Sequence, residues 1–217
     1  MRLKFRRGAP TETNRSEAFS DGVFAVAITL LALDLARIHA DPVQDISLVR
    51  ALGANWTTLL AFAASFVFVG VAWTNHQHVF GRVKLSSRAL NWANLLLLAG
   101  ITLVPWATSI LAQALGDAAG DHGQQEILLY AAVVGFGTLT WGLLFQVLGT
   151  SPELLKDPDH ARGFVADRNA SVFGLSTTAL AAIIGYVWSP IVATGLFFAL
   201  PVFYAIASEG FEADLPK

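Results

Sequence analysis

Of the 217 residues, 54% are hydrophobic and only 14% charged, and the formal net charge is -2. Soluble domains carry about 25% charged residues, so this chain lacks the solvated shell of a water-soluble enzyme; a disordered chain and a basic nucleic-acid binder are excluded as well. There is no cysteine, which removes disulfides, thiolate chemistry and cysteine-based metal sites.

Six apolar segments follow in order, at 17–37, 51–80, 89–115, 127–149, 164–188 and 191–208. They are rich in Leu, Ala, Val and Phe on nearly every face, as helices surrounded by lipid or protein must be. A chain of this length accommodates about six spans of about 20 residues. The expected fold is all-α: a polytopic membrane protein with six transmembrane helices in one domain over residues 1–217. A basic segment at 1–16 precedes the helices and a short tail at 209–217 follows. With the N-terminus in the cytoplasm, only Arg37 and Arg50 of the 14 basic residues lie outside, so the positive-inside rule places both termini in the cytoplasm. The basic N-terminus does not read as a signal peptide, because its apolar run is interrupted by Ser20 and Asp21. Trp56, Trp106 and Trp188 fall near the outer ends of spans, where indoles favour the headgroup level. Pro105 and Pro201 are expected to kink the third and sixth spans. The short link at Ser189 and Pro190 makes the last two spans antiparallel neighbours. No internal repeat is evident, so a central pathway would need several subunits.

The first span is unusual. Asp21 and Asp34 bracket the uncharged run GVFAVAITLLAL, about 18 Å of helix against a hydrocarbon core of about 30 Å. Carboxylates at both ends of so short a run favour a place inside the bundle or along a water-filled axis. At about 100° per residue, Phe19, Val26, Leu30 and Leu33 form one apolar stripe flanked by Thr29, while Ser20 and Asp21 point elsewhere. Around a symmetry axis such a stripe makes stacked hydrocarbon rings able to close a pore by dewetting; the same spacing also serves ordinary helix packing.

Trp73, Thr74, Asn75, His76, Gln77 and His78 close the second span, and Asn91, Trp92, Ala93 and Asn94 open the third. They share a depth with Arg15, Ser20 and Asp21, and buried polar groups in hydrocarbon seek one another. His76 and Asn94 are therefore candidates to hydrogen-bond Ser20 or Asp21, either as helix glue or as part of a proton relay using Asp21 and His76. His76 and His78 lie on different helix faces and make a poor metal pair. Asp167 and Arg168 are expected to form an interfacial ion pair. No potassium-filter loop, P-loop, dinucleotide fingerprint or HExxH motif is present.

Arg15-x-x-x-Phe19-Ser20-Asp21, followed by Gly22-Val23-Phe24-Ala25-Val26-Ala27-Ile28-Thr29-Leu30-Leu31, closely resembles the first-helix signature of the transmembrane protein 175 family, the endosomal and lysosomal potassium channels with prokaryotic members. Trp73-x-x-His76, Phe80, Asn94-Leu95-Leu96 and Pro105-Trp106 also look like that family. The resemblance covers mainly the first three spans. It implies a homotetramer of single six-helix repeats in which the first helix lines the pore. Val26, Leu30 and Leu33 would form the constriction, with Thr29 as a hydroxyl beside it. Arg15, Phe19, Ser20, Asp21, Trp73, His76 and Asn94 would form the network that holds the pore helix. The implied function is a potassium-permeable, modestly selective cation channel in a prokaryotic plasma membrane, with no cofactor and no enzymatic activity. Its partners would be copies of itself, the lipid bilayer and monovalent cations, not nucleic acid. A proton-coupled transporter using Asp21 and His76 and a non-conducting membrane scaffold are the competing readings.

Overall fold

The computed structural model describes residues 13–38, 47–116, 123–189, 191–197 and 199. The segments at 1–12 and 209–217, Pro201 and most of the sixth expected span therefore lie outside the described residues, as does the side chain of Arg37. Helices follow one another as α1 (Asn14–Leu31), α2 (Leu48–Ala54), α3 (Trp56–Gly81), α4 (Arg88–Gly116), α5 (Gly123–Gly149) and α6 (His160–Val187), and residues 191–197 open a further helix, α7. Among the described residues there is no named strand. The four helices α3 to α6 are long and apolar enough to cross a membrane; 26 to 29 residues give about 39–44 Å at the α-helical rise. Together they make this a multi-pass membrane protein. Helix α1 falls short of that standard because its 18 residues include Arg15, Glu17 and Asp21.

Two element boundaries differ from the sequence expectation for identifiable reasons. The first span is not one helix to residue 37: α1 stops at Leu31, and a turn leads to a 3₁₀ turn at Leu35–Arg37. The Ser109 hydroxyl of α4 donates to the Asp34 carboxylate just beyond that stop, so the charged end is satisfied laterally. The second span is divided at Asn55, whose backbone (φ -107°, ψ 28°) leaves the helical region. Its side-chain amide donates to the Ala51 carbonyl at 2.9 Å, the local competition by which asparagine interrupts helices. Ser47 caps the short α2 that precedes it, accepting from the Arg50 amide. Helix α4 runs through Pro105 without interruption, and α6 begins at His160, one turn earlier than expected.

The core forms two clusters along the bundle. One surrounds Phe24, Val69, Phe80, Leu90, Leu97, Leu148 and Phe164, near the end carrying Arg82, Lys84, Arg88, Lys156 and Arg162. The other surrounds Ala61, Leu111, Ile127, Tyr130, Ala181 and Phe197 toward the opposite end. At the basic end the two loops are fastened backbone to backbone. The Lys84 amide donates to the Leu154 carbonyl and the Lys156 amide to the Arg82 carbonyl, both at 2.9 Å, around a Val83–Leu155 bridge. In the second cluster Thr108 Oγ1 lies 2.7 Å from Ser65 Oγ, and Ser65 also engages the buried Tyr130. Asp167 and Arg168 do not pair with each other as the sequence leads one to expect. Arg168 donates to Gln146 Oε1 at 2.6 Å and to Asn169 Oδ1, while Asp167 faces the charge of Arg82.

Small residues set the closest approaches, as they do between membrane helices. A Cβ built on Gly185 would stand 2.8 Å from both Ala193 Cβ and Ile127 Cγ1, so α5, α6 and α7 meet where only hydrogen fits. We expect Gly185→Val to destabilise the bundle by about 1–3 kcal/mol through overpacking. Gly70→Ala, where a Cβ meets nothing within 4 Å, should be neutral or slightly stabilising. Thermal unfolding of the two purified variants in one detergent checks both.

Candidate functional site

Helix α1 has two distinct faces. Ser20, Phe24, Ala27 and Leu31 are buried; their spacing of four, three and four residues makes a single stripe, which packs on α3 and α4. Roughly 110° around the helix stands the second stripe. Phe19 and Val26 are each 56% exposed, Leu30 43% and Leu33 61%, and Leu33 lies in the turn beyond the helix rather than within it. Thr29 is also exposed, and its hydroxyl donates to the Val26 carbonyl at 2.8 Å. A groove of about 470 Å³ runs beside this stripe, lined by Ala18, Phe19, Gly22, Val23, Val26 and Thr102. Gly22 leaves it open, since a Cβ there would meet nothing within 4 Å.

Polar contacts determine which face is buried. Asn94 of α4 stands between Ser20 of α1 and His76 of α3: its Nδ2 donates to Ser20 Oγ at 2.9 Å, and its Oδ1 lies 2.9 Å from His76 Nε2. All three side chains are buried. Ser20 Oγ donates in turn to the Ser16 carbonyl at 2.7 Å. The His76 ring is stacked on Phe80, with centroids 4.3 Å apart and planes 18° from parallel; Phe24 meets it edge-on at 5.5 Å and Trp141 at 6.5 Å. A second strand of the network leaves Asp21, whose Oδ1 accepts from the Trp73 indole at 2.9 Å. This contact lies on the exposed side and has no link to His76 through the Asn94 chain.

Five of the network residues named from the sequence are thus brought together: Ser20, Asp21, Trp73, His76 and Asn94. Two are not. Arg15 and Phe19 are exposed, and Arg15 has no hydrogen-bond partner among the described residues. Sequence reasoning placed Asn91 at the shared depth but left it out of the network; its Oδ1 accepts from Ser16 Oγ at 3.0 Å and from Ser86 Oγ at 2.6 Å. The signal was available: Ser16 precedes Ser20 by four residues and Asn91 precedes Asn94 by three, so each pair shares a helix face. The Asp34–Ser109 contact was also missed. With it, α1 is fastened at both ends by hydrogen bonds from α4. Among the described residues, no group of three His, Asp or Glu side chains could hold a metal ion.

The model of the family described as endosomal/lysosomal potassium channel TMEM175 matches residues 15–105. A potassium channel of Chamaesiphon minutus is 33% identical over 203 residues, covering 92% of this chain and 96% of that protein. A potassium channel of Streptomyces collinus is 42% identical over 135 residues, 61% of this chain; the match spans 65% of that relative's length. The crystal structure of a lysosomal potassium-selective channel TMEM175 homolog from Chamaesiphon minutus superposes with a TM-score of 0.76 at 30% identity, covering 90% of this chain and 97% of that one.

Removing Asn94 leaves both the Ser20 hydroxyl oxygen and the His76 Nε2 without their shared partner inside apolar surroundings. Asn94→Ala should therefore cost about 1–3 kcal/mol, more than Ser20→Ala. A double-mutant cycle between the two positions should return a coupling of about 0.6–1.7 kcal/mol, the range of interhelical hydrogen bonds in membranes. Reversible unfolding in mixed micelles measures it, and a coupling near zero would remove the contact from the fold's energetics.

Proposed function

Because the chain belongs to the TMEM175 family, we propose that it is a potassium-permeable, modestly selective cation channel in which the exposed stripe of α1 lines the pore. The observation that carries this reading is the unpartnered apolar face of α1 beside a face held by polar contacts. A helix with Arg15, Glu17 and Asp21 in its first turns is a poor choice for lipid, yet it presents Val26, Leu30 and Leu33 outward. Four copies around a common axis give those side chains a place away from acyl chains. The proposed assembly is a homotetramer of single domains over residues 1–217, each with six spans and both termini in the cytoplasm of a prokaryotic cell. The channel role leaves no reaction for an enzyme to perform.

The physics of conduction follows from that placement. Rings of Val26, Leu30 and Leu33 leave a neck with few ligands, so a cation passes only by shedding part of its water. A smaller ion holds its water more tightly, so Na⁺ loses more than K⁺ at such a neck. Because the Thr29 proton is engaged by the Val26 carbonyl, the lone pairs of its oxygen are left to face a cation, which partly replaces the lost water. No rigid cage of carbonyls takes part, which keeps discrimination modest. A small rotation of α1 suffices to narrow the rings and expel water from between them.

Purified protein in liposomes under opposed K⁺ and Na⁺ gradients tests the reading; unitary currents that reverse toward the K⁺ potential are expected. Saturable, electrically silent uptake would instead identify a transporter. Leu30→Ala and Leu33→Ala should each raise Na⁺ permeability relative to K⁺ by about 3–10-fold, or roughly 0.7–1.4 kcal/mol. If both variants retain the parent's reversal potential, these side chains are not the neck.

A further inference from the structure

The hydrogen bonds around Asn94 have a direction that can be read from valence alone. Ser20 owns one hydroxyl proton, and the Ser16 carbonyl, 2.7 Å away, has none to give. The Ser20 proton is therefore spent on that carbonyl, and Ser20 Oγ must receive one from Asn94. This turns the amide nitrogen of Asn94 toward Ser20 at 2.9 Å and its oxygen toward His76 Nε2 at 2.9 Å. A carbonyl oxygen only accepts, so the proton between Asn94 and His76 belongs to the histidine.

We infer that His76 is held as the Nε2–H tautomer and that the chain from His76 through Asn94 and Ser20 to the Ser16 carbonyl is a one-way clamp, not a proton path. A relay needs members that take a proton at one atom and release one from another, and a way to reset. Here the terminal acceptor is a backbone carbonyl, which passes nothing on. Resetting would require the Asn94 amide to turn over and the Ser20–Ser16 bond to break inside packed side chains. Asp21 offers no bypass: its hydrogen-bond partner among the described residues is the Trp73 indole, which donates and cannot accept. Phe80, Phe24 and Trp141 enclose the ring in the pose that offers Nε2 to Asn94. His76 is thus a positioning residue for α1, acting through Asn94.

The test is ring-nitrogen NMR of the full-length protein in lipid vesicles, labelled with ¹⁵N-histidine, with His76→Gln assigning the resonance. The expected result is a protonated Nε2 and a bare Nδ1 at His76; a protonated Nδ1 with a bare Nε2, or exchange between the two forms, overturns the inference. Two isosteres give a second readout. A glutamine amide nitrogen can occupy the Nε2 position, whereas that of asparagine occupies Nδ1. His76→Gln should keep the parent's unfolding midpoint, and His76→Asn should lower it by about 4 °C; the reverse order counts against the clamp. The flux comparison rests on the channel reading above. His76→Gln should preserve the ratio of proton to potassium flux through vesicles, since no proton passes by this route, and selective loss of proton flux would make His76 a relay. Absence of potassium flux in the parent would defeat the channel reading while the NMR result still decides the clamp.

Discussion

The orientation of α1 depends on one constraint: a polar group enclosed by apolar side chains must be paired. Ser20 lies on a helix whose other buried residues are Phe24, Ala27 and Leu31; its proton goes to the Ser16 carbonyl of its own helix, and its oxygen accepts from the Asn94 amide of α4. Rotation of α1 by one residue, about 100°, would carry Ser20 off Asn94 and leave the Asn94 amide N–H and the Ser20 oxygen without the bond they share, at several kcal/mol in hydrocarbon-like surroundings. The apolar stripe through Val26 and Leu30 therefore points where it does because something else is fixed. Asp34 and Ser109 repeat the device at the far end, so the helix is held against twist as well as displacement.

Much of the bundle could be read from residues alone, and for a simple reason. Long runs of Leu, Ala, Val and Phe have no alternative to a helix in hydrocarbon, so α3, α4, α5 and α6 fall close to the expected segments. What escaped were places where one polar side chain competes locally with the helix. Asn55 ends α2 by bonding back to Ala51, a contact invisible to hydropathy because the residues on either side are as apolar as any. The stop at Leu31 escaped for a related reason: nothing in the run GVFAVAITLLAL marks it, and the contact just beyond it joins Asp34 to Ser109, 75 residues away.

The polar site was legible to the extent that shared depth predicts shared contacts. His76, Asn94 and Ser20 are isolated polar groups in apolar sequence, and each needed a partner at the same level. Arg15 and Phe19 belong to the same motif by adjacency, yet a single chain gives them no role in the network. Adjacency along a helix places residues 100° apart, so a contiguous motif cannot all face one neighbour. Those two side chains project from the side of α1 that the rest of the chain leaves uncovered. Motif membership and network membership thus report different things, the first a stretch of sequence and the second a direction in space.

The fastening between the loops at the basic end has its own consequence. Because it joins main chain to main chain through Lys84, Leu85, Lys156 and the carbonyls of Arg82 and Leu154, it is indifferent to what those side chains are. Substitution of the exposed Lys84 and Lys156 side chains leaves these bonds in place, whereas Leu85 also packs against the core; an imino acid at any of the three would delete an amide hydrogen that the fastening uses. The ends of α3, α4, α5 and α6 on this basic side are thereby riveted into a collar by the peptide backbone, whereas among the described residues α1 is attached to the bundle by side chains, and a single nucleotide change can loosen a side-chain attachment far more readily than a backbone one.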